Sequence, residues 1–556
     1  MKKAAALVLA LVMCLSLVAC GTSAPAGSSA EGMATGMYPG TMDPESVTVN
    51  ISSDPPDMNS ITTTDSTAIS VLNHINEGLT SLDGHSQPVP GVAESWTTSE
   101  DGLVWTFTLR QDAAWSNGTP ITANDFVFAM TRHFSPETGA QYAGTWATYI
   151  KGAEALLNGT GSVEDLGVKA LDDHTVEYTL NTPCAYFLNL VAFPSFFPVN
   201  EAYYMEVGAE EGYGLDADKM LFNGPYIMSE WQHEDHVTLT NNESYWDDAN
   251  KGFIPTIIMK MITDSGAALN AFEAGEIDMI GLAGEQAEML RASGANVKQY
   301  ADGTRAYVQF NTTDSASSPA LQNAKVRRAI TLAIDADSYN KNVAKNSNLA
   351  ADGMVPPVVN DGTYNELRGS LIERPTDDWT EVKALFEEGC AEAGVDPASM
   401  SLRYVCDEGD GAYKMAAFIQ NQLQEHLGLV MTVESMPFKS RLQAQANLDF
   451  DMCMALWGPD YNDAMTYLDM FTSESGNNHT GWANADYDAL IEAALMEGDL
   501  AKHQELLVQA ETLLVEEMPI APVYFRVRDY ITSDKLVDEV RDAFQETNMV
   551  YAKLAA

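Results

Sequence analysis

Segments with strand periodicity alternate along this chain with segments of helical periodicity, and this order restricts the fold to mixed α/β architectures. Thr256–Thr263 is predicted to form a strand, Ser265–Ala274 a helix and Ile277–Ile280 a short strand. The order returns later, with predicted strands at Val308–Asn311 and Leu402–Val405 and predicted helices at Ala324–Ala333 and Ala412–His426. Repeated units of this kind predict mixed α/β lobes.

The first part of the chain contains further elements whose ends are marked by turn residues. Leu103–Leu109 alternates apolar and polar side chains and therefore predicts a strand. After a turn at Ala114–Pro120, Thr122 is a suitable N-cap for a helix. Val168–Leu180 predicts two strands joined by a turn.

The charge of the chain excludes several classes of partner. Its 556 residues carry 79 acidic against 30 basic side chains, a formal net charge of −49. Such a surface repels nucleic-acid phosphates and anionic lipids, so nucleic-acid binding is excluded and any membrane attachment must be covalent or partner-mediated. Apolar residues make up 46% of the chain, which is a globular and not a disordered composition.

The N-terminus has the features of an export signal. Lys2 and Lys3 precede an apolar run from Ala4 to Cys20 that is too short to span a bilayer. The run ends in Leu-Val-Ala-Cys-Gly, which resembles the bacterial lipobox, so we expect cleavage before Cys20 and a diacylglycerol on its thiol. The expected parts are a lipoprotein signal peptide at 1–19 and a flexible tether at 20–45. The alternative is an ordinary secretory peptide with an incidental cysteine.

No GxGxxG, GxxxxGK(S/T), HExxH or GxSxG motif occurs, no CxxC pair is present, and the histidines of His233-Glu-Asp-His236 are expected to be solvated turn side chains and not metal ligands. We therefore predict neither an enzyme nor a cofactor. Aromatic residues instead lie beside turn residues, at Tyr142, Trp457–Asn462 and Pro522–Arg526. Aromatic loops with one acid among them suit a pocket for a cationic or amphipathic ligand, although core aromatics at strand ends would give the same pattern.

Several sequence blocks resemble one family, the oligopeptide- and dipeptide-binding receptors of bacterial ABC importers (cluster C of the extracellular solute-binding proteins). The blocks run in family order between about residues 47 and 527. They are Asn76–Leu79, Pro90–Trp96, Trp105–Arg110, Trp115–Phe126, Asn223–Tyr226, Tyr245-Trp246, Gly275–Asp278 and Val326–Ala329. The resemblance implies a two-lobed α/β fold of the periplasmic-binding-protein ("Venus flytrap") type, with an additional domain in the N-terminal lobe.

The resemblance also gives expected domain limits. We expect an N-terminal lobe with the extra domain at 46–303, a C-terminal lobe at 304–526 and a return to the N-terminal lobe at 527–556. The chain should cross between lobes near 301–310 and return near 521–532.

The family's ligand-binding positions can be carried over residue by residue. Its Trp-x-x-Asp-Tyr-Asn block is present as Trp457, Asp460, Tyr461 and Asn462, and the resemblance implies that Asp460 pairs with the α-ammonium of a ligand. The other implied pocket positions are Tyr142, Phe438 in place of a tryptophan, and the backbone-facing loop Thr64, Asp65 and Ser66.

The chain departs from the family at two kinds of position. Gly458 replaces a family cysteine whose usual partner, near Thr304, is also missing. Basic residues that hold a ligand carboxylate are absent, with Met454, Gln445 and Tyr413 in their places. Arg526 lies two residues from Tyr524 and hence on the same strand face, so we hypothesise that it supplies the carboxylate anchor. The alternative is a surface arginine.

Taken together, these features predict a monomeric receptor held by a lipid on the extracytoplasmic face of the cell membrane, facing the periplasm if the organism has an outer membrane. It would capture short peptides by lobe closure and deliver them to a permease and its ATPases. The alternatives are a receptor for a nickel complex, haem, an opine or an oligosaccharide, a signalling lipoprotein and a surface hydrolase. Ligand length, side-chain preference and the state of the cysteines are left open.

Overall fold

The computed structural model describes residues 38–247 and 252–555. The predicted signal peptide, Cys20 and most of the predicted tether lie outside these residues. The strands are β1 (Ser46–Asn50), β2 (Thr80–Leu82), β3 (Pro88–Pro90), β4 (Ala93–Thr98), β5 (Val104–Leu109), β6 (Val168–Asp172), β7 (Thr175–Thr179), β8 (Tyr226–Gln232), β9 (His236–Asn241), β10 (Thr256–Lys260), β11 (Met279–Leu282), β12 (Lys298–Phe310), β13 (Leu349–Ala350), β14 (Ser401–Asp407), β15 (Val430–Met436), β16 (Met452–Trp457), β17 (Ile520–Thr532), β18 (Leu536–Val537) and β19 (Lys553–Leu554).

Helices occupy much of the chain between these strands. They are α1 (Ser66–Ile75), α2 (Ala123–His133), α3 (Ala143–Ala147), α4 (Ala153–Leu157), α5 (Phe187–Leu190), α6 (Glu201–Glu206), α7 (Ser265–Glu273), α8 (Gly284–Ala292), α9 (Ala324–Leu332), α10 (Ala336–Ser338), α11 (Thr363–Arg368), α12 (Thr380–Glu392), α13 (Asp410–Leu427), α14 (Phe438–Ala446), α15 (Met465–Leu468), α16 (Ala485–Leu495) and α17 (Leu500–Glu517).

Two long antiparallel strands, β12 and β17, join the two halves of the main sheet, whose order is β15-β14-β16-β12-β17-β11-β1-β10-β9-β8. Their pairing is interrupted between Ala301, opposite Val527, and Arg305, opposite Phe525. On the side of Ala301 and Val527, β17 also pairs with β11. On the side of Arg305 and Phe525, β12 also pairs with β16, and β17 also pairs with β13. The interruption thereby divides the main sheet into two parts, one in each lobe, and β12 and β17 are the strands that run through both parts. The lobe limits at 303/304 and 526/527 stay our proposal, which this interruption supports.

A separate four-stranded antiparallel sheet, in the order β4-β5-β7-β6, belongs to the first half of the chain. Its core contains stacked aromatic rings, including Phe107, which meets Tyr178 edge-on at 6.1 Å. Helix α2 packs on β6 and begins with a capping box, in which the backbone N–H of Thr122 donates to Asp125 Oδ2 at 2.7 Å. The predicted strand Leu103–Leu109, the N-cap Thr122 and the strand pair in Val168–Leu180 are confirmed.

The predicted strand–helix units are present, but several of their ends differ, and the predicted strand Thr256–Thr263 ends at Lys260. The predicted strand Ile277–Ile280 begins two residues later, at Met279. Just before it, the carboxylate of Asp278 accepts hydrogen bonds from the backbone N–H of Thr48 and from Ser533 Oγ, both at 2.9 Å. Val308–Asn311 is only the end of the much longer β12.

The cysteines in the described residues are unpaired. Cys184, Cys390, Cys406 and Cys453 are free thiols, and all four are buried. The two halves of the molecule are therefore held by packing and hydrogen bonds, with no disulfide among these four.

Candidate functional site

A cavity of about 390 Å³ lies where the loop after β16 meets the N-terminal lobe. Its walls come from the start of α1, the segment after α1, the turns at 189–197 and 245–247, the loop at 459–462 and the segment at 543–551. The residues that line it include Thr64, Ser66, Asn73, Glu77, Tyr142, Phe193, Tyr245, Trp246, Asp247, Asp460, Tyr461, Asn462, Phe544, Glu546 and Tyr551. Both halves of the chain therefore contribute to one cavity.

The charged residues of this cavity are all acidic. Glu77, Asp247, Asp460 and Glu546 line it, and none of its lining residues in the described part of the chain is a lysine, arginine or histidine. Burial raises the pKa of Asp460 to about 6, an effect that a hydrogen bond with Thr466 opposes. A cation placed beside Asp460 would offset the cost of its charge, so the cavity favours a positively charged group.

Tyr142 is an aromatic wall beside Asp460. Its ring stacks on Trp146 at 5.6 Å and meets Phe193 edge-on at 5.4 Å. Burial, with a smaller effect of the negative charge of Asp460, raises the pKa of Tyr142 to about 12. The hydroxyl therefore stays neutral and can donate or accept a hydrogen bond at the cavity wall.

The loop that carries Asp460 is fixed on both sides. Trp457 Nε1 donates to the backbone oxygen of Thr466 at 2.8 Å, and the Tyr461 ring stacks on Tyr186 at 4.9 Å. Asn462 accepts a hydrogen bond from the backbone N–H of Asn360 at 2.7 Å and donates to the backbone oxygen of Ser86 at 3.1 Å. Asp460 is thus held in place by neighbours whose side chains are already engaged.

Of the predicted ligand-binding residues, six line this cavity. They are Thr64, Ser66, Tyr142, Asp460, Tyr461 and Asn462. Asp65 lies between two of them but caps α1, because its carboxylate accepts a hydrogen bond from the backbone N–H of Ala68 at 2.8 Å.

The other predicted residues lie outside the cavity wall. Trp457 is behind the loop, and a Cβ built on Gly458 would be 3.6 Å from Thr304 Oγ1. Phe438 begins α14 and is 60% exposed, and Tyr524 stacks on Tyr339 at 6.2 Å. Because none of these four residues lines the cavity, their role in ligand binding stays a prediction.

Arg526 lies at the interruption between β12 and β17. Its Nε donates to Asp302 Oδ2 at 2.5 Å and its Nη2 to Thr304 Oγ1 at 2.8 Å. The guanidinium thus already has an acidic partner from the crossing strand. The hypothesis that it anchors a ligand carboxylate stays a prediction.

Glu77 is a cavity residue that sequence reasoning did not single out. Its buried carboxylate accepts hydrogen bonds from Ser81 Oγ at 2.9 Å and from Tyr245 Oη and Trp246 Nε1, both at 2.8 Å. Burial raises its pKa in spite of these donors. Both Glu77 and Tyr245-Trp246 occur in the blocks that carry the family resemblance, and this was the signal that could have identified them.

In residues 38–247 and 252–555, no three His, Cys, Asp or Glu side chains are arranged to hold a metal ion. Within the same ranges, the helices are too short or too polar to cross a membrane.

Comparison with known proteins identifies similar chains. The family profile described as "Bacterial extracellular solute-binding proteins, family 5 Middle" matches residues 87–479. The oligopeptide-binding protein OppA of Bacillus subtilis is 32% identical over 539 residues, which are 95% of each chain. The protein named probable deoxycholate-binding periplasmic protein YgiS of Escherichia coli is 30% identical over 496 residues, 88% of this chain and 86% of that one.

A solved structure has the same fold. It is described as the periplasmic murein tripeptide-binding protein MppA in its unliganded open form. It has 25% sequence identity and a TM-score of 0.78, and the match covers 93% of this chain and 98% of that one. The two-lobed α/β fold predicted from the sequence is confirmed.

Proposed function

Because the chain belongs to family 5 of the bacterial extracellular solute-binding proteins, we propose that it is a lipid-anchored receptor that captures short peptides and delivers them to an ABC import permease. In this proposal the lipid is carried by Cys20 and holds the protein on the extracytoplasmic face of the cell membrane. The receptor acts as a monomer without catalysis, and cytoplasmic ATPases drive the permease.

The acidic cavity is the observation that carries this proposal. Asp460 faces a space lined by aromatic and polar side chains, among which no basic residue occurs in the described part of the chain. A peptide brings an α-ammonium that can pair with this carboxylate, and apolar or polar side chains that the remaining walls accept. The charge and the walls of the cavity therefore both support a peptide amine as the bound group.

Lobe closure is supported by the exposed apolar residues of the C-terminal lobe. Tyr413, Phe438 and Leu456 are 44%, 60% and 45% exposed. Tyr413 and Phe438 occupy positions that the family resemblance assigns to the ligand pocket. Closure about β12 and β17 would cover such side chains, and burying apolar surface would favour the closed, ligand-bound state.

The first experiment is native mass spectrometry of the soluble protein that starts at Gly21, followed by identification of whatever mild denaturation releases. We expect a mixture of short peptides, because a receptor that encloses its ligand retains it through purification. The matched control is Asp460→Asn, which keeps the side-chain shape and should release much less peptide. A single metal complex, haem or sugar in place of peptides would contradict the proposal.

The lipid anchor needs its own experiment, with the full chain and its Cys20→Ser variant expressed in a bacterial host. We expect the unchanged chain in the membrane fraction, with a mass increase that corresponds to the diacylglycerol. The Cys20→Ser variant should lack this mass. An unmodified Cys20 in the mature protein would contradict the lipid anchor and would support an ordinary secretory signal peptide.

A non-peptide solute is the second candidate, and the similarity to YgiS favours it. Deoxycholate, which the name of that relative specifies, is an anion, and four carboxylates would oppose its entry into this cavity. If the purified protein released a bile acid or another steroid, this second candidate would replace the first.

A further inference from the structure

The cavity that contains Asp460 adjoins a second cavity of about 430 Å³. Ser66, Ser70 and Glu546 line both, so the two spaces meet along the start of α1 and the segment before β19. The second cavity extends past the carboxyl ends of β1, β10 and β11 to Arg528 and Arg541. Both volumes fall within the range of roughly 300–1,000 Å³ that is usual for small-ligand pockets.

The two cavities differ in charge. The first has four carboxylates, while the second has two arginines together with Asp529 and with Glu546, which it shares with the first. Arg528 is 47% exposed, and its Nε donates to Asp302 Oδ2 at 2.8 Å. Its two terminal nitrogens make no hydrogen bond within the described residues. They are therefore able to donate to an incoming anion.

Arg541 is held in one orientation by aromatic rings. Its guanidinium carbon lies 4.5 Å from the centre of the Tyr300 ring and 4.9 Å from that of Tyr530. Its Nε donates to the backbone oxygen of Glu546 at 2.8 Å and its Nη2 to Tyr300 Oη at 3.1 Å. No carboxylate of the described chain lies within ion-pair distance of this guanidinium. Arg541 is thus a fixed positive charge without a negative partner.

Apart from Glu546, which lines both cavities, the acidic residues around these arginines have other basic partners. Asp529 pairs with Arg291, Glu539 with Lys298 and Asp302 with Arg526. Asp302 is shared, because Arg528 also reaches it. The local carboxylates therefore leave Arg528 only partly neutralised and Arg541 without an ion pair.

We propose that Arg528 and Arg541 bind the carboxylate of a ligand whose amine lies at Asp460. The ligand would run from the acidic cavity towards the strands that join the lobes. This inference rests on the proposed function, since it assumes a ligand with both an amine and a carboxylate. It gives Arg526 a different task, which is to hold Asp302 at the crossing between β12 and β17.

The test compares each peptide as the free acid and as the C-terminal amide. Alanine peptides of two to five residues are titrated into the unchanged protein and into Arg528→Gln, Arg541→Gln and Arg526→Gln. We expect the unchanged protein to prefer the acid by at least about tenfold, because a hydrogen-bonded charge pair contributes roughly that much. Arg528→Gln or Arg541→Gln should bring the acid-to-amide ratio close to one, whereas Arg526→Gln should retain it.

The ratio is measured within one protein, so a smaller folded fraction lowers both affinities and leaves it unchanged. If Arg541→Gln does not fold, Arg528→Gln decides, because that side chain is partly exposed. Equal binding of acid and amide by the unchanged protein would overturn the inference, and so would a ratio lost only in Arg526→Gln or kept in every variant. If no peptide binds in either form, the proposed function itself fails.

Discussion

Asp460 illustrates how a single residue can be unfavourable for the empty protein and useful for binding. Burial raises its pKa to about 6. Burial, with the nearby charge of Asp460, also raises the pKa of Asp469 to about 7. At neutral pH Asp460 is ionised at a cost in folding free energy, and a bound cation would recover part of it.

We expect Asp460→Asn to raise the melting temperature of the ligand-free protein at pH 7.5 by about 1–2 °C. The pKa of Asp460 is higher in the folded than in the unfolded chain, so its ionisation destabilises the fold. This penalty is absent below about pH 4, develops as the pH rises towards 6 and is complete above it. Thermal unfolding at pH 7.5 and at pH 4 measures the difference, which should vanish at the lower pH.

Asp463 is a matched control in the same loop. Its Oδ1 accepts hydrogen bonds from His503 Nε2 at 2.9 Å and from the backbone N–H of Met465 at 2.8 Å. Asp463→Asn weakens these charge-assisted bonds, so the melting temperature should fall. A fall in both variants would show that the charge of Asp460 stabilises the empty protein, against our interpretation.

At the residue scale, the sequence allowed some cavity residues to be predicted and not others. Asp460, Tyr461 and Asn462 form a contiguous motif, so their resemblance to a family was visible without a structure. The role of Glu77 depends on Tyr245 and Trp246, which are distant in sequence and meet it only after folding. The arginines of the second cavity belong to no motif. The position of Arg528 follows from the path of β17, and that of Arg541 from the segment after β18.

At the scale of the elements, the strands β12 and β17 matter most, because they join the two lobes. β12 contains Asp302 and Gly303, residue types that usually end strands, which is why the sequence predicted only the end of this strand. Pairing with β17 on both sides of the interruption overrides that local preference. Gly303 has φ +72°, a conformation that favours glycine, and it lies against Pro459.

Gly303→Ala should lower the stability of the protein by more than the cost of the backbone conformation alone, which is roughly 1–2 kcal/mol. An added Cβ would lie 2.7 Å from Pro459 Cγ and 2.9 Å from Ala543 Cβ. Gly118→Ala is the control, since Gly118 has φ +82° and no atom within 4 Å of an added Cβ. Thermal or denaturant unfolding should show the larger loss for Gly303→Ala, and equal losses would contradict the described contacts.

A disulfide between β12 and the residue that follows β16 should form when Thr304 and Gly458 are both replaced by cysteine. Arg305 pairs with Trp457, so Thr304 and Gly458 are the next opposing positions, and the Cβ built on Gly458 lies 3.6 Å from Thr304 Oγ1, the place that a cysteine Sγ would take. We expect a stabilisation of about 2–4 kcal/mol under oxidising conditions. Thiol titration and unfolding with and without reductant measure it, and each single variant is a control. Two thiols that remain reactive after oxidation would show that the residues are farther apart.

At the scale of the whole molecule, the net charge of −49 should act on ligands before they reach the cavity. Association rates of cationic peptides should fall as salt rises from about 0.01 to 0.3 M, because salt screens a long-range attraction. Rates for acidic peptides of equal length should rise. Stopped-flow fluorescence can measure both series, and rates independent of salt would show that the surface charge does not steer peptides.

The pairing of Ala301 with Val527 has a further consequence for how this chain can be divided. Everything between these two residues leaves the N-terminal lobe through one strand and re-enters it through the neighbouring one, so the two points of departure are adjacent. The C-terminal lobe is in this sense a domain inserted into the N-terminal lobe, which is its host. An insert with neighbouring ends can be exchanged without rearranging the host, so recombination at these two positions offers a way to pair one N-terminal lobe with different lobes that each carry their own amine-binding residue.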